Sequence, residues 1–376
     1  MITRQLEATI KKHQKPGFIN IIYGPRRVGK TTLLQQLTKN KQNQTLWLNG
    51  DTQETQDSLS NTSEVHLSNL VKNHNIIVID EAQRIKNIGL SLKILVDKFP
   101  KKTYYTSGSS SLALSQGLQE SLTGRNLTYK LFPLSTQELT IGFPPHHQSS
   151  LLKDQLIYGG YPYLSNLQTP QEKQDYLQNI VNDYLLKDIL LLKNIEQPDN
   201  LQKLVTLLAF QLGSKVSYNE LANNLQIDVK TVVRYLSLLK QSFVVFELGS
   251  FSRNLRKEVA KAKKYYFWDI GLRNAVVSQF HSPDVRSDIG GIWENFLAIE
   301  RLKKQEYKKQ TVKHYFWQTY DQAEIDWIEE FNGKISAFEF KWGNKQAKTP
   351  KDFKEQYQVS LQTINQNNYL SFISSS

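Results

Sequence analysis

Gly24-Pro25-Arg26-Arg27-Val28-Gly29-Lys30-Thr31 carries the spacing G-x-x-x-x-G-K-[ST]. Two glycines let such a loop curl until its amide N–H groups point at phosphate oxygens. The helix that opens at Lys30-Thr31-Thr32 adds its partial positive charge. Lys30 would reach the outer phosphates, and the Thr31 hydroxyl would help hold Mg²⁺. A chance glycine turn is the alternative, but a run of apolar residues before the loop and a helical pattern after it argue for a nucleotide site. A second element, Ile76-Ile-Val-Ile-Asp80-Glu81, ends an apolar run in two carboxylates. Asp80 is placed to join the Mg²⁺ shell and Glu81 to polarise an attacking water, which points to hydrolysis as well as binding. The alternative for Glu81 is an exposed acid after a strand. A third, Thr106-Ser107-Gly108-Ser109-Ser110, offers small hydroxyls. Ser109 is the choice for sensing the terminal phosphate or orienting the water; a plain Ser/Gly turn is the alternative.

The carboxyl-terminal third holds another set. Glu339-Phe340-Lys341 is an E-x-K, and alternation along a strand puts Glu339 and Lys341 on one side. Asp326 lies on the preceding strand and Glu294 on a helical stretch, Ile292–Leu302. One helical Glu, a strand Asp and an E-x-K resemble a restriction-endonuclease-like core. The resemblance implies that Asp326 and Glu339 bind Mg²⁺ with Glu294 nearby, while Lys341 supports the water and the developing phosphate charge. Trp327 and Glu324 are expected on the other face or the edge. The alternatives are an ordinary exposed ion pair and a degenerate site.

These residues need elements to position them. Phe18–Tyr23, Thr45–Leu48, Asn75–Asp80, Lys102–Thr106 and Leu127–Phe132 read as strands, separated by helical stretches such as Thr31–Thr38 and Ile88–Asp97. Unbroken apolar strands suit a mainly parallel sheet covered on both faces. From Leu151 the pattern turns helical, including Tyr176–Lys193. Val216–Leu225 and Asp228–Lys240, with Ser217 and Asp228 as caps, read as a helix-turn-helix; the β-like SFVVFEL after them makes it look like a winged helix. Lys230 and Arg234 would face DNA, although such a unit also serves for packing or for a protein partner. Glu324–Glu329 and Ile335–Phe340 are the clearest later strands.

The ordered set GPRRVGKT, IIVIDEAQRI, YYTSGSSS, LTGRN and FPLSTQEL is similar to prokaryotic AAA+ ATPases whose carboxyl half is a domain of unknown function. YGGYPYL, FWDIGLRNAV, GGIWENFLAIERL and EIDWIEE…FEFKW resemble that carboxyl half in the same order. The resemblance implies ATP as the nucleotide, where the residues alone do not exclude GTP. It also implies an arginine supplied by a neighbouring subunit, for which Arg125 is the candidate, with a local ion pair as the alternative. Gly160-Tyr161-Pro162 resembles an element bordering the adenine in related signal-transducing ATPases; a tight turn opening a helical lid is the alternative for Pro162. The expected fold is α/β: a P-loop AAA+ parallel-sheet domain over 1–145, a helical lid over 146–196, a winged helix over 197–255 and a restriction-endonuclease-like α/β domain over 256–376.

Composition bounds the rest. The 376 residues include no cysteine, which excludes thiolate zinc, iron–sulfur and cysteine-nucleophile chemistry. The net charge of +12 suits a polyanion. Residues 1–50 hold nine basic residues and one acidic, partly in the loop itself; Phe251–Ala275 (seven against two) and Arg301–Tyr320 (six against one) are the better DNA-facing candidates. No stretch suits a membrane span and the amino terminus lacks a signal-peptide core, so the cytoplasm is expected. The functional expectation is an ATP-hydrolysing protein acting on DNA, with a nucleotide-regulated nuclease. The alternatives are an ATP/ADP switch or scaffold for a protein partner, with a degenerate nuclease domain, and a winged-helix transcription regulator; a homo-oligomer is a further expectation.

Overall fold

The computed structural model describes residues 2–108, 122–141, 143–144, 147–183, 197–252, 263–319 and 323–374. It divides once into compact units: residues 1–132 with 241–243, and residues 133–240 with 244–376. The divisions expected at 196 and 255 fall within the second unit.

The first unit is built on five parallel strands: β1 (Ile19–Tyr23), β2 (Thr45–Asn49), β3 (Ile76–Asp80), β4 (Thr103–Gly108) and β5 (Asn126–Lys130). Their order is β2-β3-β4-β1-β5. Every residue of β3 is buried, as the unbroken apolar run requires of a strand covered on both faces. Ile19, Ile21, Ile77 and Ile79 form the core with Leu92 and Leu95 of the helix Ile88–Lys98. The strand order sets the chemistry. β1 feeds the Gly24–Lys30 loop, β3 ends at Asp80, and β4 lies between them. All three deliver their last residues to the carboxyl edge, where open parallel sheets bind ligands. This is a parallel-sheet P-loop ATPase fold.

The second unit carries seven strands in the order β12-β11-β10-β9-β7-β8-β6. These are β6 (Lys215–Val216), β7 (Val245–Ser250), β8 (Lys263–Phe267), β9 (Lys313–Gln318), β10 (Glu324–Phe331), β11 (Lys334–Phe340) and β12 (Leu361–Ile364). The helices Tyr218–Leu225 and Val229–Gln241 precede the β7–β8 antiparallel pair. Ser217 caps the first helix by accepting from the Glu220 N–H at 3.3 Å; Asp228 caps the second through the Thr231 N–H at 2.9 Å. Parallel pairing of Gly249 and Ser250 with Tyr315 and Phe316 joins this part to β9, so one sheet runs through both expected domains.

The helical stretch expected from Tyr176 starts earlier, at Pro170. Thr169 and Glu172 form a capping box there, and the proline sits in the first turn. Its later part, residues 184–196, lies outside the described residues. The long helix Ile289–Tyr307 packs Trp293, Phe296 and Leu297 against Trp327 and Phe338 of the sheet. No helix among the described residues is long and apolar enough to cross a membrane.

Candidate functional site: the P-loop edge of the first unit

Gly29 stands at φ +91 as the N-cap of the helix Lys30–Thr38, a conformation few side chains accept. Gly24 runs against β5: a Cβ there would lie 2.0 Å from the Leu131 carbonyl oxygen. Both motif glycines are thus demanded by backbone geometry. Arg27 and Glu81 also adopt positive φ, +60 and +50, although neither is glycine.

Lys30 is buried, and its ammonium donates to the loop's own carbonyls, Gly24 O at 3.1 Å and Pro25 O at 2.9 Å. Burial lowers its pKa to about 8 against the opposing charges of Glu81 and Asp80. The Thr31 hydroxyl donates to Asp80 Oδ2 at 2.7 Å. On the other side, Ser107 donates to Asp80 Oδ1 and accepts the Glu81 N–H at 3.1 Å. Glu81 itself receives the Gln83 side-chain amide. A hydroxyl and a carboxylate in contact beside a phosphate-shaped loop are the hard oxygen donors Mg²⁺ takes, so the residues fit that ion.

Ser109 lies outside the described residues. Ser107 is the β4 hydroxyl that reaches Asp80, and the sequence reading missed it. Its only signal was a pair of adjacent hydroxyls, Thr106 and Ser107, of which strand alternation sends one to each face. Arg4 was missed altogether. It is buried and donates to Val28 O in the loop and to Phe132 O, both at 2.6 Å. Nothing in a residue so far from the loop in sequence announces this tie. Arg125 precedes β5 at the opposite, amino-terminal end of the sheet, where its carbonyl accepts from Ile19 N. There it pairs with Asp97 at 2.6 Å on the surface. It does not enter its own chain's loop; a role at a nucleotide would have to be in another subunit. Pro162 opens a short turn, Pro162–Asn166, in the second unit.

In the second unit, the β10–β11 register continued one step past Trp327↔Phe338 sets Asp326 opposite Glu339. Asp326 Oδ2 accepts from Phe340 N at 2.8 Å, and Lys341 holds Glu339 Oε1 at 2.6 Å. Glu294 faces Lys264 of β8, 3.0 Å away, and accepts from the Tyr266 hydroxyl at 2.6 Å. Lys264 also pairs with Glu324. This corrects the placement of Glu324 on the other face: it is two residues from Asp326 on one strand, so the two share a side. Burial, with the like charges of Glu294 and Glu339, pushes the Asp326 carboxyl well above its ordinary range. Burial opposes the Lys264 charge, but Glu294, Asp326 and Glu324 more than offset it and raise its pKa. Among the described residues no group of three or more His, Asp or Glu side chains is arranged to hold a metal ion. The residues as they stand do not fit the metal centre that a nuclease core implies.

The basic runs also change meaning. Lys264, Arg273 and Lys303 are each 1–3% exposed, so they offer nothing to DNA. Arg273 donates twice to Ala209 O and pairs with Asp288; Lys303 pairs with Glu300 and donates to Leu134 O. The motifs of this unit interlock through similar buried groups. Asp269 accepts from Gly160 N at 2.7 Å and Leu272 N at 3.0 Å, and Asn274 donates to Leu156 O and Ile157 O. Asn295 makes a paired contact with the Phe267 backbone N–H and C=O.

Three family models match successive parts of the chain. Residues 17–140 match the AAA domain family, residues 149–282 a domain of unknown function (DUF8612), and residues 289–370 another (DUF4143). The chain thus carries an AAA-type domain, followed by regions that match two domains of unknown function. Uncharacterized protein Rv2008c of Mycobacterium tuberculosis is 27% identical over 334 residues, covering 88% of this chain and 71% of its own. Uncharacterized protein MJ1544 of Methanocaldococcus jannaschii is 25% identical over 281 residues, covering 68% of this chain and 63% of its own. Among solved structures, the Walker-type ATPase paby2304 of Pyrococcus abyssi aligns with a TM-score of 0.47 at 14% identity, over 74% of this chain and 96% of its own.

Proposed function

We propose that the first unit binds and hydrolyses ATP and that the second unit uses the cycle to engage DNA. The observation that carries the ATPase reading is the contact set around Asp80: Thr31 on one oxygen, Ser107 on the other, with Ser107 also holding the Glu81 N–H. Lys30 would leave its two loop carbonyls for the phosphates, which offer it full negative charge. Magnesium, when bound by Thr31 and Asp80, would neutralise phosphate charge. Glu81 would orient and polarise the water, with Gln83 and Ser107 fixing its position. Lys30→Ala is expected to abolish ATP binding; Glu81→Gln is expected to bind ATP and barely turn it over. Normal turnover by the Gln variant would remove Glu81 from the mechanism.

For the second unit, we read Pro198–Phe267 as a winged helix and the following sheet as a restriction-endonuclease-like core. The helix Val229–Gln241 buries Val232, Tyr235, Leu236 and Leu239 and leaves Lys230, Val233 and Arg234 exposed, a face suited to a groove. The chain's +12 charge supports a polyanion partner. Affinity for duplex DNA should fall steeply with salt, and a Lys230→Glu/Arg234→Glu variant should weaken it and flatten the slope. Absence of affinity at low salt would leave the second reading, a nucleotide-dependent switch for a protein partner. The burial of Lys264, Arg273 and Lys303 favours that reading, because it removes three cations from the presumed DNA-facing runs.

A further inference from the structure

The carboxylates of the second unit lie in the order of a nuclease core, yet a lysine from outside that pattern sits among them. We propose that Lys264 is the resident cation of this cluster: its ammonium holds the place beside Glu294 that a divalent ion would need, so the cluster is closed by the chain itself and takes up no Mg²⁺ or Mn²⁺. The inference rests on reading this sheet as a nuclease-like core, but not on the ATPase or on DNA binding.

Three observations converge. Lys264 is 1% exposed, so it is a fixed interior group and cannot serve a substrate. It bridges two of the carboxylates, Glu294 at 3.0 Å and Glu324. Glu294 has one oxygen already engaged and the other set against backbone. Oε1 accepts from Lys264 and from Tyr266, and Oε2 packs so closely on Gly213 that a Cβ there would lie 2.5 Å away. An ion bound through Oε1 would therefore displace the ammonium or share the oxygen with it, and one bound through Oε2 would still sit beside that positive charge. The remaining groups are partly committed as well. Asp326 commits one oxygen to Phe340 N, and Glu339 commits one to Lys341. Glu294 Oε2, Asp326 Oδ1 and Glu339 Oε2 remain, as many carboxylate oxygens as an ion that keeps several waters needs, so what opposes an ion is the Lys264 charge among them and not a shortage of ligands. One atom pulls the other way: Glu339 Oε2 is buried without a hydrogen-bond partner, which is what a metal ligand looks like before its metal.

The probe is Mn²⁺ alone, titrated into the full chain carrying Asp80→Asn, so that the P-loop carboxylate is silenced. Bound ion is read by electron paramagnetic resonance, with and without duplex DNA. With Lys264 in place, no bound Mn²⁺ that depends on Asp326 is expected at millimolar ion. Lys264→Met is expected to gain one site per chain, about tenfold or more tighter, and to lose it again when Asp326→Asn is added. Mn²⁺ bound by the Lys264-bearing chain and lost with Asp326→Asn overturns the proposal. So does a folded Lys264→Met variant that gains nothing. Should Lys264→Met fail to fold, the Lys264-bearing arm decides by itself. DNA affinity and its salt slope, read in the same samples, report on the DNA reading separately.

Discussion

Ser107→Ala isolates the hydroxyl that ties the two acidic residues of the candidate nucleotide site together. The side chain is fully buried at the end of β4. It donates to Asp80 and accepts the Glu81 N–H at 3.1 Å. Losing a hydrogen bond to a charged group costs about 1.5–3 kcal/mol, and an unmet N–H adds roughly 1 kcal/mol. Alanine fits the same space, so no steric term is added. The total is about 3 kcal/mol. In a unit of this size that lowers the melting midpoint by about 10 °C. If half of it is lost only in the transition state, turnover falls about tenfold. ATP affinity should change little, because Lys30 and the loop amides hold the phosphates. The neighbouring residue supplies the control. Thr106 is equally buried, but its hydroxyl has no hydrogen-bond partner. Thr106→Val keeps the shape and removes an unmet polar group, so it should leave turnover alone and stabilise the unit by about 1 kcal/mol. Steady-state ATPase assays and thermal melts of both variants make the test. If the two variants match within about twofold in turnover, the assigned role of Ser107 is wrong.

Lys30 predicts a pH profile. Its pKa in the free protein is about 8, lowered by burial. Phosphates favour the charged form, so binding above that pH takes up a proton, and the ATP dissociation constant should rise about tenfold per pH unit. A flat profile up to about pH 9.5 contradicts it. The same shift makes the nucleotide-free unit more stable as pH rises from about 8 towards 10.5, since the unfolded chain keeps the Lys30 proton longer. Gly271→Ala would set a Cβ 1.9 Å from the Tyr158 carbonyl oxygen. It should destabilise the second unit by about 3 kcal/mol while ATP binding by the first unit persists. Denaturation followed by tryptophan fluorescence reads this well, because five of the six tryptophans lie in the second unit.

The candidate nucleotide site was legible because its residues lie close together in the sequence. Gly24, Gly29, Lys30 and Thr31 lie within one loop, and Asp80-Glu81 ends one apolar strand, so spacing and pattern locate both. What spacing does not encode is which side chain from a distant strand meets them. Ser107 and Ser109 were equivalent on paper, and only β4 lying between β1 and β3 gives Ser107 its place. Arg4 had no signal, since its partners are carbonyls of Val28 and Phe132, and any residue offers a carbonyl. The second unit misled in a different way. Counting charge along Phe251–Ala275 and Arg301–Tyr320 measured composition, whereas Lys264, Arg273 and Lys303 face inward. The Glu324 error came from treating it apart from Asp326, although alternation already put the two on one side.

The charged motifs of the second unit therefore need a different reading from those of the first. Glu300 accepts the Thr136 N–H at 2.7 Å while its other oxygen pairs with Lys303, which in turn holds Leu134 O. Glu294, earlier on the same helix, is engaged by Lys264 and Tyr266. Buried pairs like these recover little net stability once desolvation is counted, and breaking one partner costs several times more. A sequence can keep them for geometry alone, so their order along the chain speaks for the fold before it speaks for chemistry. The discriminating property is whether a polar group's present partner is replaceable. Lys30 qualifies, because it donates only to carbonyls of its own loop, and phosphate oxygens outcompete neutral carbonyls for an ammonium. Lys264 does not, because its partners are already carboxylates fixed on a helix and a strand. On that criterion the ligand-binding chemistry belongs at the P-loop edge, and the carboxylate cluster belongs to the architecture of the sheet.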